Sequence, residues 1–502
     1  MPTPDQIWNE ADLPTRRLAG LALNPSAPEE ILLRLLADAP LAVRMVLCRD
    51  RDLPEAVADA AVAHPDRYTR SFLARNPHID PAVRARLVDD PDWFVRAHLA
   101  DGPRTADPVG LRPLPDETVV RMITTYSGDD LGFSLHGQMS AALRRALPTH
   151  PVARLRVWGT GSFGSLPAAT RAALLADPDD EVRESALRHL RHEDPAWVES
   201  TLPAHPSHAR TGALLHDALS RAVVDRVLTG PAGPDERAMI AGNPSLPADV
   251  VVLLAGDADP EVRERIAHRA DLGPVERRAL AEDPDPRVRL AASVHPAWRE
   301  EERARIDYTV PQDELFLYCP PPLTPRDPDA VRRDALSAHP LLRRRAARDH
   351  TLPPDLLERL AADDDLGVRV LLAQNHPDAP PALLLRAFLE YTGPGREDLL
   401  LRPRFPADGL SVHADDADPA VRALTARDPG AAPGTVERLT RDPDPSVRAA
   451  LTRHPNLPQD RLTELLDDEE LAHHAAANPA LTADTIGRLV AALPVRPRPA
   501  VP

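Results

Sequence analysis

Apolar positions along this chain come in short bursts at helical spacing, broken by Asp- and Pro-rich turns. In residues 352–375, LPPDLLERLAADDDLGVRVLLAQN, Leu356, Leu357 and Leu360 form one stripe, and a second apolar burst follows the acidic break. Residues 433–458, PGTVERLTRDPDPSVRAALTRHPNLP, repeat the layout, with Val447, Ala450 and Leu451 on one face of the second burst. Residues 28–54, PEEILLRLLADAPLAVRMVLCRDRDLP, do so again. The pattern predicts a helix of about 10 residues, a tight turn, and a shorter second helix of about 6–8 residues, α or 3-10.

The turn residues agree with this reading. Proline in the first helical turn costs nothing, because that N–H has no partner in the helix. Asp442 or Asp444 can cap the second helix, with Pro445 at its first position. Asn76-Pro77 and His454-Pro455 end it, since a residue before proline avoids the α region.

One arginine marks each repeat: Arg44, Arg70, Arg96, Arg154, Arg183, Arg210, Arg237, Arg263, Arg289, Arg343, Arg369, Arg396, Arg422 and Arg448, with Ala472 near the last position. Most gaps are about 26 residues, and the series covers about 16 or 17 repeats. A helix pair this short cannot stand alone, so stacking must supply the burial. No alternating β-branched run predicts a strand. The expected fold class is all-α, a solenoid of short helix pairs over 24–490, with an N-terminal cap at 1–23 and a Pro-rich tail at 491–502. Irregular stretches interrupt it near 101–147, 297–330 and 389–411.

Composition narrows the function classes. The chain has 58 prolines and 22 glycines in 502 residues, too few for a disordered polymer, so the prolines punctuate structure. Only 3% of residues are aromatic, which leaves Leu, Val and Ala to build the core. All 60 basic residues are arginine and the net charge is −17, which disfavours general nucleic-acid binding. Cys48 and Cys319 are far apart and imply neither a disulfide framework nor a thiolate metal site. The first 17 residues lack a signal-peptide layout and no apolar run is long enough to span a membrane, so a cytoplasmic protein is expected.

The repeats resemble the leucine-rich repeat variant family. Asn243-Pro244-Ser245-Leu246-Pro247 and Asp283-Pro284-Asp285-Pro286-Arg287-Val288-Arg289 carry the likeness. It implies alternating α and 3-10 helices wound into a right-handed superhelix. Some relatives carry a cysteine-rich iron–sulfur segment; two cysteines do not supply one. The Asp and Val-Arg positions also look like HEAT repeats, whose two full helices need a longer repeat.

Four constellations are candidates for chemistry. The arginine series, chiefly Arg44, Arg70, Arg96, Arg183, Arg263, Arg289, Arg369, Arg422 and Arg448, is expected to pair with acids of the same or the adjacent repeat, such as Arg448 with Asp442 or Asp444, and so to fix register. His189, His192, His205 and His208 have a spacing superficially like a zinc site, but His205 belongs with the turn histidines His64, His295, His339 and His454. Gly159, Gly161 and Gly164 spell G-x-G-x-x-G with no convincing strand before it, so a turn between repeats is expected rather than a nucleotide loop. In or beside the irregular stretches, Tyr126, Asp129, Asp130, Trp158, Phe163 and Tyr391 are candidates for partner contact.

No nucleophile motif or paired-acid arrangement stands out. The expected function is a non-enzymatic protein–protein interaction scaffold with no cofactor. The alternatives are a HEAT-like enzyme or cofactor-handling protein, with Trp158, Trp197, His189 and Asp194 as pocket candidates, or a nucleic-acid-binding solenoid.

Overall fold

The computed structural model describes residues 8, 11–103, 111–126, 133–230, 234–311, 327–491 and 493. Among these residues the chain is all-helical, without a strand, and helices pack in neighbouring pairs as in an α-solenoid. It divides into two compact units. The terminal unit comprises Met1–Gly159 with Pro406–Pro502, and the middle unit is Thr160–Phe405.

Each repeat is a helix pair, for example Glu29–Asp38 with Leu41–Asp50, or Pro354–Ala361 with Leu366–Asn375. The first helix buries one stripe: Leu32, Leu35 and Leu36 in the former, Leu356 and Leu360 in the latter. The second helix packs on its own first helix and on second helices of neighbouring repeats. It is therefore buried on several sides, and in Leu41–Asp50 the buried set is Ala42, Val43, Met45, Val46, Leu47 and Cys48. This corrects the expected length of 6–8 residues: Leu41–Asp50 and Leu366–Asn375 each run 10 residues, because tertiary burial extends a segment whose stripe alone is short. Both helices of these pairs are α. Segments of 3-10 helix occur at Phe133–Gln138, Thr160–Ser165, Glu397–Leu401 and Ala423–Arg427.

The D-x-D motif divides its labour. The second aspartate caps the second helix: Asp259, Asp285 and Asp444 accept the N–H of Glu261, Arg287 and Ser446 at 2.9, 2.8 and 2.8 Å. Such a cap contributes about 1 kcal/mol. The first aspartate receives the arginine of the preceding repeat, 20 residues earlier in chain, through a two-pronged bond. Arg263 donates to Asp283 at 2.7 and 2.9 Å, Arg343 to Asp363 at 2.6 and 3.0 Å, and Arg422 to Asp442 at 2.8 and 2.7 Å. Arg70 does the same to Asp90, and Arg237 to Asp257. The remaining guanidinium nitrogen turns back to its own repeat. Arg263 Nη1 donates to the carbonyls of Asp257 and Ala258, and Arg289 Nη1 to those of Asp283 and Pro284.

The expected pairing of Arg448 is thereby refined. Arg448 Nη1 reaches the Asp442 carbonyl at 2.9 Å, not its carboxylate, which Arg422 holds; the carboxylate partner of Arg448 is Glu470. Arg369 pairs with Glu390, Arg289 with Asp307 and Arg44 with Asp66. Arg183 binds the Asp177 carbonyl and pairs with Asp180. Arg96 binds the Asp90 carbonyl at 2.8 Å. Two positions of the series are corrected. Arg156, not Arg154, makes the turn contacts, to the His150 and Pro151 carbonyls; Arg154 reaches the Thr124 and Tyr126 carbonyls instead. Arg396 donates to the Phe388 carbonyl at 2.7 Å and lies over the Phe388 ring.

A second ladder runs through the Asn-Pro and His-Pro positions. Asn243, fully buried, donates through Nδ2 to the Leu214 and Asp217 carbonyls of the previous repeat, both at 2.9 Å. Its Oδ1 accepts from the Ser245 N–H at 2.8 Å. Asn76 and Asn478 repeat the geometry. His454 substitutes, with Nε2 to the Asp428 carbonyl and Nδ1 accepting from the Asn456 N–H. Arg269 fills the place by reaching the Ala241 and Asn243 carbonyls.

Asn243→Ala removes the acceptor of the Ser245 N–H and the donor to the buried Leu214 carbonyl, so it is expected to cost about 2 kcal/mol in chemical denaturation. Asn243→His, which restores one donor and one acceptor, is expected to cost less; equal losses would contradict the ladder's role.

Candidate binding hollow

The terminal unit is closed by its two chain ends. The segment read as an N-terminal cap holds the Leu13–Leu23 helix, which packs against Leu41–Asp50 on one side and Ala472–Ala476 on the other. Asn24 donates to the Ala476 and Asn478 carbonyls at 3.0 and 2.7 Å, the same bonds that Asn76 makes to its preceding repeat. Arg51 then reaches the Ala22 and Asn24 carbonyls, as Arg269 does one repeat after Asn243. The last repeat therefore stands where a repeat preceding the first would be.

Beside this junction lies a hollow of about 440 Å³. Trp8, Leu23, Met45 and Val46 give it an apolar wall, and Arg49, Asp50, Arg453 and His473 give it polar ones. Arg49 and Asp50 hold each other in a two-pronged pair at 2.7 and 2.9 Å. The Arg453 Nε donates to His474 Nδ1 at 3.0 Å, and among the described residues no carboxylate pairs with Arg453. Burial pushes His473 down to about 4 and His474 down to about 3, with the Arg453 charge adding to both. Both imidazoles are therefore neutral at pH 7, and Arg453 is left as the uncompensated charge of the hollow. Trp8 meets His473 edge-on at 4.8 Å. A smaller hollow of about 320 Å³ in the middle unit includes Asp235, Glu261, Arg265 and Met239.

The residues singled out from sequence lie elsewhere. Tyr126 is buried, donates to the Val88 carbonyl at 2.6 Å and sits beneath the Arg96 guanidinium. Phe163 is buried against His189, and Tyr391 is buried with its hydroxyl on the Pro394 carbonyl. Trp158 stacks on His136 at 4.9 Å. Tyr126, Phe163 and Tyr391 thus present little surface to a partner and Trp158 is half-buried; in a chain so poor in aromatics, the core takes them. Asp129, Asp130 and Cys319 lie outside the described residues, as does most of the 491–502 tail. His192 pairs with Asp217 and meets Trp197 edge-on, and its ring lies near enough to His189 to act on it; among the described residues no group of three or more metal-ligating side chains forms.

Gly159, Gly161 and Gly164 lie where the Ala153–Gly159 helix passes into 3-10 helix, with no strand before them. A Cβ at Gly159 would meet the Pro148 backbone nitrogen at 2.6 Å, so that glycine serves close packing. Sequence reasoning missed Arg453, whose only signal is that it falls five residues after Arg448, outside the ladder position. It also missed Gln138. Gly102 stands in the ladder position without a side chain, and Gln138, from the irregular stretch, donates to the Leu99 and Ala100 carbonyls that the ladder residue of the following repeat would serve.

No family model matches the sequence, and no curated protein matches it. Among solved structures the chain is similar to an engineered protein, at 13% identity over 91% of this chain and 98% of that one, with a TM-score of 0.14, a likeness that carries no argument. No helix among the described residues is long and apolar enough to cross a membrane.

The turn histidines make stability depend on pH. His339, buried, accepts the Leu341 N–H through Nδ1, and burial with three nearby arginines pushes it down to about 3. His64, His295 and His376 accept similarly and are also lowered by burial. A histidine lowered in the fold binds its proton first in the unfolded chain. Its contribution is complete above about pH 6.5 and declines as pH falls toward the folded value. Melting temperature is expected to fall between about pH 6.5 and pH 4, and His339→Asn to flatten that slope. A melting temperature constant over this range would refute the assignment.

Proposed function

We propose that the chain is a non-enzymatic interaction scaffold that binds a protein partner, and that the terminal-unit hollow is its contact site. The observation that carries the reading is Arg453, a cation with no carboxylate partner among the described residues, set beside the apolar wall of Trp8, Met45 and Val46. The repeating arginines are engaged by the ladders, whereas Arg453 stands outside them. The chemistry suits a peptide segment with a carboxylate next to an aliphatic or aromatic side chain. The carboxylate would meet the exposed Arg453 guanidinium in a charge-assisted bond, and the apolar group would cover Met45 and Val46. The winding of the array as a right-handed superhelix of about 26-residue, leucine-rich-variant-like repeats belongs to the same proposal, supported by the Asn-Pro and Asp-Pro-Asp-Pro motifs and their bonds. A cytoplasmic setting is part of it as well.

Panning a random-peptide phage library against the full chain tests the site. Enrichment of peptides pairing Asp or Glu with a neighbouring apolar residue, lost on Arg453→Glu, is the expected result. Absence of enrichment, or peptides that bind Arg453→Glu equally well, would contradict it.

A further inference from the structure

The junction of the chain ends is made of the same parts as the contacts between consecutive repeats, yet no peptide bond crosses it. The N-terminal face offers donors: Arg16, Arg17, Asn24 and Ser26. The C-terminal face offers acceptors. Arg16 reaches the Glu469 carbonyl at 3.0 Å, Arg17 Nε the Leu466 carbonyl at 2.6 Å, and Ser26 Oγ the Pro479 carbonyl at 2.8 Å. Arg17 also pairs with Asp467. The faces approach most closely at Gly20, where a Cβ would collide with the His473 carbonyl and lie 2.9 Å from the Ala476 Cβ. Gly20 is thus fitted to this contact, not merely tolerated in it. Ala472, Ala475 and Ala476 supply the small, fully buried surface opposite.

We infer that these two faces are complementary halves of an interaction surface whose other occupant is a second copy of this chain: the C-terminal face of one copy pairs with the N-terminal face of another whenever closure within one chain is broken. The contact is heterologous, since donors and acceptors lie on different faces, so it joins copies head to tail. Within one chain the faces are held together by the folded chain between them, so the closed monomer prevails over exchange in dilute solution. The inference rests on the junction alone and is independent of the hollow's ligand.

Two full-length variants separate the faces. Gly20→Arg destroys the N-terminal face and keeps the C-terminal one; Ala476→Arg does the reverse. Neither can close or pair with itself. Each alone is expected to be a monomer by light scattering, with the circular dichroism of the unaltered chain, and their mixture to give a 1:1 dimer. The milder pair Arg17→Glu and Asp467→Arg, which reverses the Arg17–Asp467 pair and in Arg17→Glu also removes the bond to the Leu466 carbonyl, takes their place if either arginine variant loses helix. In that pair the double variant Arg17→Glu/Asp467→Arg is expected to close again as a monomer. Mixtures of folded variants that stay monomeric overturn the inference.

Discussion

In the regular repeats one carboxylate organises its surroundings. Asp283 takes the forked guanidinium of Arg263 from the preceding repeat, accepts the N–H of Asp285 at 2.9 Å, and through its carbonyl receives Arg289. It therefore fixes the turn that presents the Asp285 cap, and links two successive repeats in a single hydrogen-bonded node. With side chains only 13% and 6% exposed, the Arg263–Asp283 pair sits in a medium where an unpaired partner would be costly. The exposed pair Arg221–Asp249, at 55% and 62%, is of the kind that contributes little. The forked geometry also gives arginine a structural role that lysine could not fill, since the ladder needs three donors in one plane.

The Asn and His ladder supplies the complementary restraint. Short helices leave many carbonyls at their ends, and each must find a donor when buried. Asn243 serves two of them from the next repeat. The same device serves at the chain ends, where Asn24 binds carbonyls more than 450 residues away in sequence. Closure of the terminal unit thus needs no special machinery; it reuses the repeat's own contacts and sets the hollow with Arg453 beside them.

The helical repeat, its Pro and Asp punctuation and most of the arginine series were legible in the sequence, because each follows from local rules. The direction of pairing was not. Periodicity shows that Arg422 and Asp442 recur together but cannot say that Arg422 binds Asp442 while Arg448 binds the Asp442 carbonyl. The ruler slipped by two residues at Arg154, inside a stretch whose spacing is irregular. Gln138 could not be foreseen at all, because it serves Leu99 and Ala100 from 39 and 38 residues away, where no repeat position predicts it. Tyr126 and Phe163 were read as contact residues because irregular sequence suggests exposed loops, whereas both side chains are buried. The closed ends were equally invisible, since an array read in sequence has a beginning and an end.

The central claim is that the Arg–Asp node couples neighbouring repeats. A double-mutant cycle with Arg263→Gln and Asp283→Asn, read by chemical denaturation, measures that coupling directly. A coupling energy of about 1.5 kcal/mol or more is predicted, within the range for residues sharing one hydrogen-bonded network. Additivity within about 0.5 kcal/mol, as for independent sites, would contradict the account.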